Sequence, residues 1–339
     1  MRHGRASRAA SWAAAAALSA TLAGCAAGKP AEPPMPDAST NLARAAAPAP
    51  PSLDGEQLKD GETLRQFYAS VEDHLTANGR LRREAAPADA PYSNDDLVRD
   101  FDNIALKDEY TDLNGSYTHV ERPALLRRWE KPVRVGVISG ASMSPEEAAR
   151  DRANVAAFTR RLAHLTGRDV AMGQGGDVNF LVVFMDSAER PVVAEQVKAL
   201  YPGVAPSAAT ALRDTPVDIF CANYATFDPQ APSTYATVVV LIRAEHPPLT
   251  RLSCVNEEMA QSMGLPNDSS LARPSLFNDS LEFALLTEHD AVLLRMLYDP
   301  RLRAGMSADE IRPLLPQIAA DARQAQLRDE RTMVVAEAN

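Results

Sequence analysis

The chain has 339 residues, of which 45% are hydrophobic and 6% aromatic, and its formal net charge at pH 7 is −10. This length is enough to bury one sizeable core. An acidic balance without a long run of Lys or Arg argues against nucleic acid as a partner and against electrostatic binding to anionic lipid, and the small aromatic content argues against a carbohydrate-stacking surface.

The first segment is predicted to be an export signal. Three arginines form a positively charged start, and the alanine-rich apolar run that follows ends at the sequence Leu-Ala-Gly-Cys. This run is short for a bilayer-spanning helix, and small residues before a cysteine are typical of a lipoprotein cleavage site. We therefore expect residues 1–24 to be removed and Cys25 to carry a lipid that holds the protein at the membrane. An uncleaved anchor or an ordinary signal peptide is the alternative.

The residue after the cysteine bears on the destination. Ala26, rather than an aspartate, follows Cys25. We expect the outer membrane, with the protein facing the periplasm. Residues 25–52 are rich in Ala and Pro, a composition that favours extended geometry and predicts a semi-rigid tether.

Apolar residues at three- and four-residue steps predict a helix within residues 53–93, followed by a polar loop interrupted by proline. The main domain is predicted to span residues 94–326, and residues 327–339 form a tail. Apolar and β-branched runs predict strands at 132–139, 178–186 and 235–244. Ser144 begins a predicted helix that ends at Gly167, another helix lies near 190–200, and the glycine-rich segment 173–177 is predicted to be a turn.

The second half of the main domain is predicted to be helical. Residues 251–263 form one helix, and capping-box patterns at Thr287 and Ser307 predict the starts of two more, the second being the last helix of the chain. Strands and helices followed by helices alone indicate an α+β protein, and several such folds are compatible with this order.

The segment CVNEEMAQSMGLPND, from position 254, is the most informative about function. On the predicted helix, Glu257 and Gln261 lie one turn apart on one face, with Glu258 beside them. A glycine then permits a sharp turn, which brings Asn267 and Asp268 back towards this polar surface. The segment therefore predicts a polar cluster over an apolar helix face.

This pattern, E-E-x-x-Q-x-x-G-x-x-N-D, resembles the extended zincin motif H-E-x-x-H-x-x-G-x-x-H/D without its histidines. Together with SLFND and LLTEHDAVLLRMLYDPRLRAGM further along, it resembles an uncharacterised family of secreted bacterial proteins related to zincin-type metallopeptidases. The resemblance covers roughly residues 132–310. It implies a zincin-like fold, with a twisted mixed sheet, backing helices, an active-site helix and a helical C-terminal subdomain that closes a cleft.

The resemblance also assigns roles to individual residues. It puts Glu257 and Gln261 at the first two metal-ligand positions and Glu258 at the general-base position. Asn267 or Asp268 takes the third ligand position. A neutral amide is a poor zinc ligand, and carboxylate oxygens suit harder cations better, so we expect no metal. If zinc or another divalent cation binds, its candidate ligands are Glu257, Gln261 and Asp268.

Other candidate ligands are weaker. Glu282 and Glu288 are possible third carboxylates from a later segment. His246 and His289 are predicted to be surface or hydrogen-bonded histidines rather than metal ligands, because no two histidines in the chain have the spacing of metal ligands.

Two cysteines remain if Cys25 is lipidated. In an exported protein, the pair Cys221 and Cys254 predicts a disulfide. A catalytic cysteine is the alternative, and we do not favour it because neither residue has a histidine close in sequence.

We hypothesise that the chain is a lipid-anchored envelope protein whose degenerate zincin-like domain is non-catalytic and binds a peptide or another envelope component. Its binding cleft would include Glu257, Gln261, Asn267 and Asp268. The alternative is a metallopeptidase or hydrolase with a nonstandard metal site and Glu258 as general base. A purely structural role in the envelope is a third possibility.

Overall fold

The computed structural model describes residues 60–113, 116–200, 210, 212–278 and 280–337. The predicted export signal, the lipidation site Cys25 and the proline-rich tether lie outside the described residues. Within the described ranges, no helix combines the length and the apolar character that crossing a membrane requires.

Helices and strands alternate along the first part of the chain, and helices alone follow. The described helices are α1 (Gly61–Ala77), α2 (Asn94–Ala105), α3 (Pro145–Thr166), α4 (Arg190–Leu200), α5 (Pro248–Gln261), α6 (Glu288–Leu297), α7 (Ala308–Ile311) and α8 (Leu315–Glu337). The strands are β1 (Lys107–Leu113), β2 (Ser116–Pro123), β3 (Val133–Ser139), β4 (Val170–Met172), β5 (Phe180–Met185), β6 (Cys221–Asp228) and β7 (Ala231–Arg243). The predicted α+β class is confirmed.

The main sheet is mixed, with the strand order β4-β3-β5-β7-β6. Strands β3, β4, β5 and β7 are parallel, whereas β6 runs antiparallel to β7 and forms one edge. Strand β5 is buried on both faces, which is why its sequence is continuously apolar, and β3 and β7 contain shorter apolar runs; all three could be predicted. The edge strand β6 is only half-buried and mixes polar with apolar residues, so its sequence did not predict a strand.

The hairpin of β1 and β2 was also not predicted. It forms a separate two-stranded sheet of largely polar residues, and such a sequence lacks the apolar alternation by which strands are recognised.

Local capping signals set several helix ends. Ser144 and Glu147 form a capping box at the start of α3, and Gly167 ends this helix with a φ of 64°. Both features were predicted. The capping box at Ser307 heads only the four-residue helix α7. The prediction that the last helix starts at Ser307 was wrong, because a separate helix, α8, starts at Leu315.

Helices cover both faces of the main sheet. On one face, α2, α3, α5, α6 and α8 share a core with inward side chains such as Val135, Val182 and Val240. On the other face, α4 packs on the alternate set, which includes Val183 and Val239. The helix that carries the motif thus lies against the sheet on the more heavily covered face.

Helix α1 packs over the end of the sheet where the parallel strands finish. Arg65 donates a hydrogen bond of 2.9 Å to the Ala244 carbonyl, just after β7. Glu72 accepts hydrogen bonds from the backbone N–H and the hydroxyl of Thr250, at 2.9 and 2.7 Å. Since Pro247, the N-cap of α5, makes no side-chain hydrogen bond, Glu72 supplies the cap that α5 lacks.

Candidate functional site

Helix α5 carries the motif and lies between the main sheet and the loop that follows the helix. The helix starts at Pro248, three residues before the predicted start, because proline suits the first helical turn. Its apolar side chains, such as Met259, are fully buried. After the helix, Gly264 has a φ of 124°, and a Cβ built there would lie 2.1 Å from the Arg127 carbonyl oxygen. Only glycine therefore permits this turn without displacing the backbone of residue 127.

Four side chains form a connected polar network, here called the Asn223 network. The amide nitrogen of Asn223, on β6, donates to Glu258 Oε2 at 2.7 Å and to Gln261 Oε1 at 3.2 Å. Gln261 in turn donates through Nε2 to Asp268 Oδ1 at 3.1 Å. The network thus joins the edge strand, α5 and the loop after α5.

Sequence reasoning missed Asn223, although the sequence contained a signal for it. The predicted disulfide brings Cys221 to Cys254. Residue 223 lies on the same strand face as Cys221, and Glu258 lies one helical turn after Cys254. Combining the disulfide with these two periodicities would have placed Asn223 opposite Glu258.

Glu258 is the most perturbed carboxyl group at this site. Its residue is 5% exposed. Burial raises the pKa of Glu258 to about 8, the hydrogen bond from Asn223 opposes the rise, and the negative charge of Asp268 adds to it. At neutral pH the side chain is therefore mainly a neutral acid, with its proton on the oxygen that does not accept from Asn223.

The remaining predicted site residues lie at the margin of the network. Glu257 is half-buried on α5. Asn267 is buried, and its amide donates to the Asn103 carbonyl at 2.9 Å and to Glu121 Oε2 at 3.3 Å. Asn267 thereby fastens the loop after α5 to the end of α2.

Asp268 extends to a groove of about 280 Å³ beside β1 and β2. The groove is lined by Asn103, Lys107, Glu109, Glu121, Asn267, Asp268, Ser269, Ser270 and Leu271.

Residues 94–317 match the family described as Protein of unknown function (DUF2927). The chain belongs to this family. The matched region begins at the first residue of α2, contains the whole Asn223 network and excludes α1. No curated protein and no solved structure matches the chain. Membership of an uncharacterised family is thus confirmed, whereas the relation to zincins stays a prediction.

Zinc, which a zincin-like site would imply, does not suit the donor set of this family domain. In the described part of the chain, no group of three or more His, Cys, Asp or Glu side chains is placed to hold a metal ion. The N–H groups of Asn223 point at the oxygens of Glu258 and Gln261, and burial keeps a proton on Glu258. A cation would have to displace Asn223 and that proton.

The weaker candidate ligands have other roles or positions. Glu282 pairs with Arg82 at 3.1 Å and with Arg273 at 2.8 Å. Glu288 is the first residue of α6. His246 donates from Nε2 to the Phe220 carbonyl at 2.8 Å.

His289 is fully buried beside two carboxylates. Its Nε2 lies 3.1 Å from Asp100 Oδ2, and its Nδ1 lies 3.5 Å from Asp290 Oδ1. Burial alone would lower the pKa of His289, but the hydrogen bonds and charges of Asp100 and Asp290 outweigh it and raise the pKa above its usual value. This histidine joins α6 to α2 and lies apart from the motif.

The predicted disulfide between Cys221 and Cys254 is confirmed, with 5.8 Å between the two Cα atoms and 33 residues of sequence separation. It fixes the first residue of β6 to α5. We expect the double substitution Cys221→Ala and Cys254→Ala to lower the free energy of unfolding by about 3–4 kcal/mol, because the unfolded chain regains the entropy of this loop. Urea denaturation measures the change.

Chemical reduction of the wild type provides the matched control for that experiment. Reduced wild type and the double variant should unfold at similar urea concentrations, both well below the oxidised protein. Equal midpoints for the oxidised protein and the double variant would contradict the stabilising role of this bond.

Proposed function

We propose that the chain is an exported, lipid-anchored protein of the bacterial cell envelope whose degenerate zincin-like domain binds an extended peptide of an envelope partner without cleaving it. The lipid on Cys25 and the outer-membrane location facing the periplasm belong to the same proposal. The observation that carries it is the position of the Asn223 network at an edge of the main sheet, beside an edge strand.

The disulfide supports export. Disulfides persist in oxidising compartments and are rare in the cytosol, where thiols are kept reduced. The bond between Cys221 and Cys254 therefore agrees with the export signal predicted for residues 1–24.

The chemistry of the network supports binding rather than hydrolysis. A general base must reach the water that it activates, yet Glu258 is buried and its Oε2 accepts a hydrogen bond from Asn223. Gln261, at the second ligand position that the zincin resemblance implies, is an amide whose oxygen already accepts a hydrogen bond from Asn223. A metallopeptidase with Glu258 as its base is therefore the less favoured alternative.

The edge strand supports an extended peptide as the ligand. Strand β6 pairs with β7 on one side, and in the described part of the chain no strand pairs with its other side. Backbone N–H and C=O groups along such an edge can accept an additional strand. A peptide bound there would run beside Asn223, and its side chains would lie close to Gln261 and Asp268.

We expect unstructured peptides, obtained by digesting an unrelated denatured protein, to bind the purified protein and to protect the amides of β6 from hydrogen exchange. The opposite sheet edge, β4, is the internal control and should keep its exchange rates. Mass spectrometry of the same mixtures should detect no new cleavage products, with or without added zinc.

Two results would count against this function. Zinc-dependent cleavage that disappears in Glu258→Gln would establish the hydrolase instead. Binding that protects neither β6 nor the motif helix α5 would place the peptide site elsewhere.

A further inference from the structure

Helix α1 lies outside the region matched by the family but is closely docked on the domain. The match begins at residue 94, whereas α1 spans Gly61–Ala77. Leu64 and Tyr68 on this helix are each 1% exposed. Together with Glu72 they lie at steps of four residues, so all three side chains project from one side of the helix. This side, here called the inner face of α1, contacts the domain.

The middle of the inner face holds the segment that leads into β6. The Tyr68 hydroxyl donates to the Val217 carbonyl at 2.8 Å. The Tyr68 ring centroid lies 5.8 Å from that of Phe220, which directly precedes Cys221, the first residue of β6. The Tyr68 ring also packs on the His246 imidazole, with 4.2 Å between centroids, and His246 Nε2 donates to the Phe220 carbonyl at 2.8 Å. Tyr68 thus fixes the start of the edge strand through its hydroxyl and through its ring.

The next turn of the inner face holds α5. Glu72 accepts hydrogen bonds from the backbone N–H and the hydroxyl of Thr250, at 2.9 and 2.7 Å. Thr250 lies in the first turn of α5, where backbone N–H groups lack partners within the helix. Arg65 donates to the Ala244 carbonyl at 2.9 Å, in the short connection between β7 and α5. Helix α1 therefore fixes the start of α5 as well as the start of β6.

The two elements that α1 holds are the ones that form the Asn223 network. Strand β6 supplies Asn223, and α5 supplies Glu258 and Gln261. The disulfide between Cys221 and Cys254 joins the same two elements, with 5.8 Å between the Cα atoms. Because β6 and α5 are linked to each other and are both held by α1, a displacement of α1 acts on the pair and not on one element alone.

We propose that α1 is a clamp that positions β6 against α5, with Tyr68 and Glu72 as its two positioning residues. While α1 is docked, both elements keep the spacing at which Asn223 reaches Glu258. When α1 is displaced, the edge strand and the network loosen together. The clamp thereby connects residues 1–59, which precede α1, to the edge at which a peptide is proposed to bind, and this consequence for binding rests on the function proposed above.

Hydrogen exchange of the oxidised protein without peptide tests the clamp. We expect Glu72→Ala to speed the exchange of β6 amides about fivefold, the size of effect that loss of one helix cap gives. The carboxylate of Glu72 bonds to Thr250 and not to this strand, so the effect on β6 must pass through α1. Tyr68→Phe keeps the ring and removes only the hydroxyl, and it should speed the exchange of α5 amides about fivefold. Each substitution should thus act on the element that the deleted group does not contact.

Glu62→Gln is the matched control for these substitutions. Glu62 is an exposed carboxylate on the same helix that accepts from Gln66 at 3.1 Å, and glutamine keeps this acceptor. It should leave the exchange of β6 and α5 unchanged, and Glu72→Gln, which keeps a neutral acceptor for the cap, should give an intermediate rate. Strand β4, at the opposite edge of the sheet, should keep its rate in every variant. Acceleration confined to the contacted element, or equal acceleration in β4, would overturn the clamp, since α1 would then only stabilise its surroundings.

The link to the peptide site is tested by the reverse effect. If peptides bind β6 only while α1 is docked, a peptide at about ten times its dissociation constant should slow the exchange of α1 amides about tenfold. Protection of β6 without any change in α1 would refute this link. If no peptide binds the wild type, the function proposed above fails, whereas the exchange rates of the free protein still decide whether α1 is a clamp.

Discussion

Replacing Glu258 with glutamine should make the protein more stable than the wild type above pH 8, while the two proteins differ little near pH 5. Glutamine resembles the protonated form of Glu258 in shape. Its carbonyl oxygen can accept from Asn223 as Oε2 does now. The variant therefore keeps the hydrogen bond but can no longer acquire a buried negative charge.

The sign of the effect follows from proton linkage. Burial raises the pKa of Glu258 from 4.5 to about 8 in the folded protein. Between these values the folded state binds a proton that the unfolded state has lost, so the free energy of unfolding falls as the pH rises. The loss over this window amounts to roughly 5 kcal/mol in the wild type and is absent in Glu258→Gln.

Denaturant titrations at a series of pH values measure this slope. Glu257→Gln is the matched control, since it removes a carboxylate from the preceding, half-buried position of the same helix. This control should keep the wild-type slope between about pH 4.5 and about pH 8. If the free energy of unfolding changes with pH in the same way for the wild type and for Glu258→Gln, Glu258 is not a buried neutral acid. A catalytic role as base then becomes admissible.

His289→Leu should destabilise the protein by about 3–5 kcal/mol, because it removes the buried imidazole that lies between the carboxylates of Asp100 and Asp290 and leaves Asp100 with Arg99 alone, among the described residues, as its ionic partner. Asp100, His289 and Asp290 are each 0% exposed. The same imidazole holds α6 against α2, so its loss removes a link between the C-terminal helices and α2. Thermal and urea unfolding measure the change.

The stabilising effect of His289 should depend on pH in a defined direction. Its pKa is raised above 6.5 in the folded protein. The contribution is therefore complete below pH 6.5 and is lost as the pH rises through the folded-state pKa.

His164→Leu is the control for this histidine. The His164 side chain is 63% exposed and pairs with Asp329 at the surface, where an ion pair contributes little. We expect its loss to change stability by less than about 1 kcal/mol. Equal losses of stability in His289→Leu and His164→Leu would show that the buried ionic contacts of His289 contribute no more than a surface ion pair.

Features that depend on neighbouring residues could be predicted from the sequence. Strands β3, β5 and β7 were recognised because each contains a run of apolar or β-branched residues, and α3 because Ser144 and Gly167 mark its ends. The pairing of Cys221 with Cys254 followed from the small number of cysteines and the predicted export. Each of these inferences uses local periodicity, local capping or simple counting.

The chemistry of the Asn223 network and of the buried His289 depends on contacts between residues that are distant in sequence. The sequence by itself determined the α+β class, the motif helix, its glycine turn and the disulfide. Only the tertiary structure decided that β6 is the sheet edge, that Asn223 meets Glu258, and that His289 lies between Asp100 and Asp290. The physical reason is that burial and the nearest charges set the protonation of a side chain. Both are established only when strands and helices far apart in sequence have packed together.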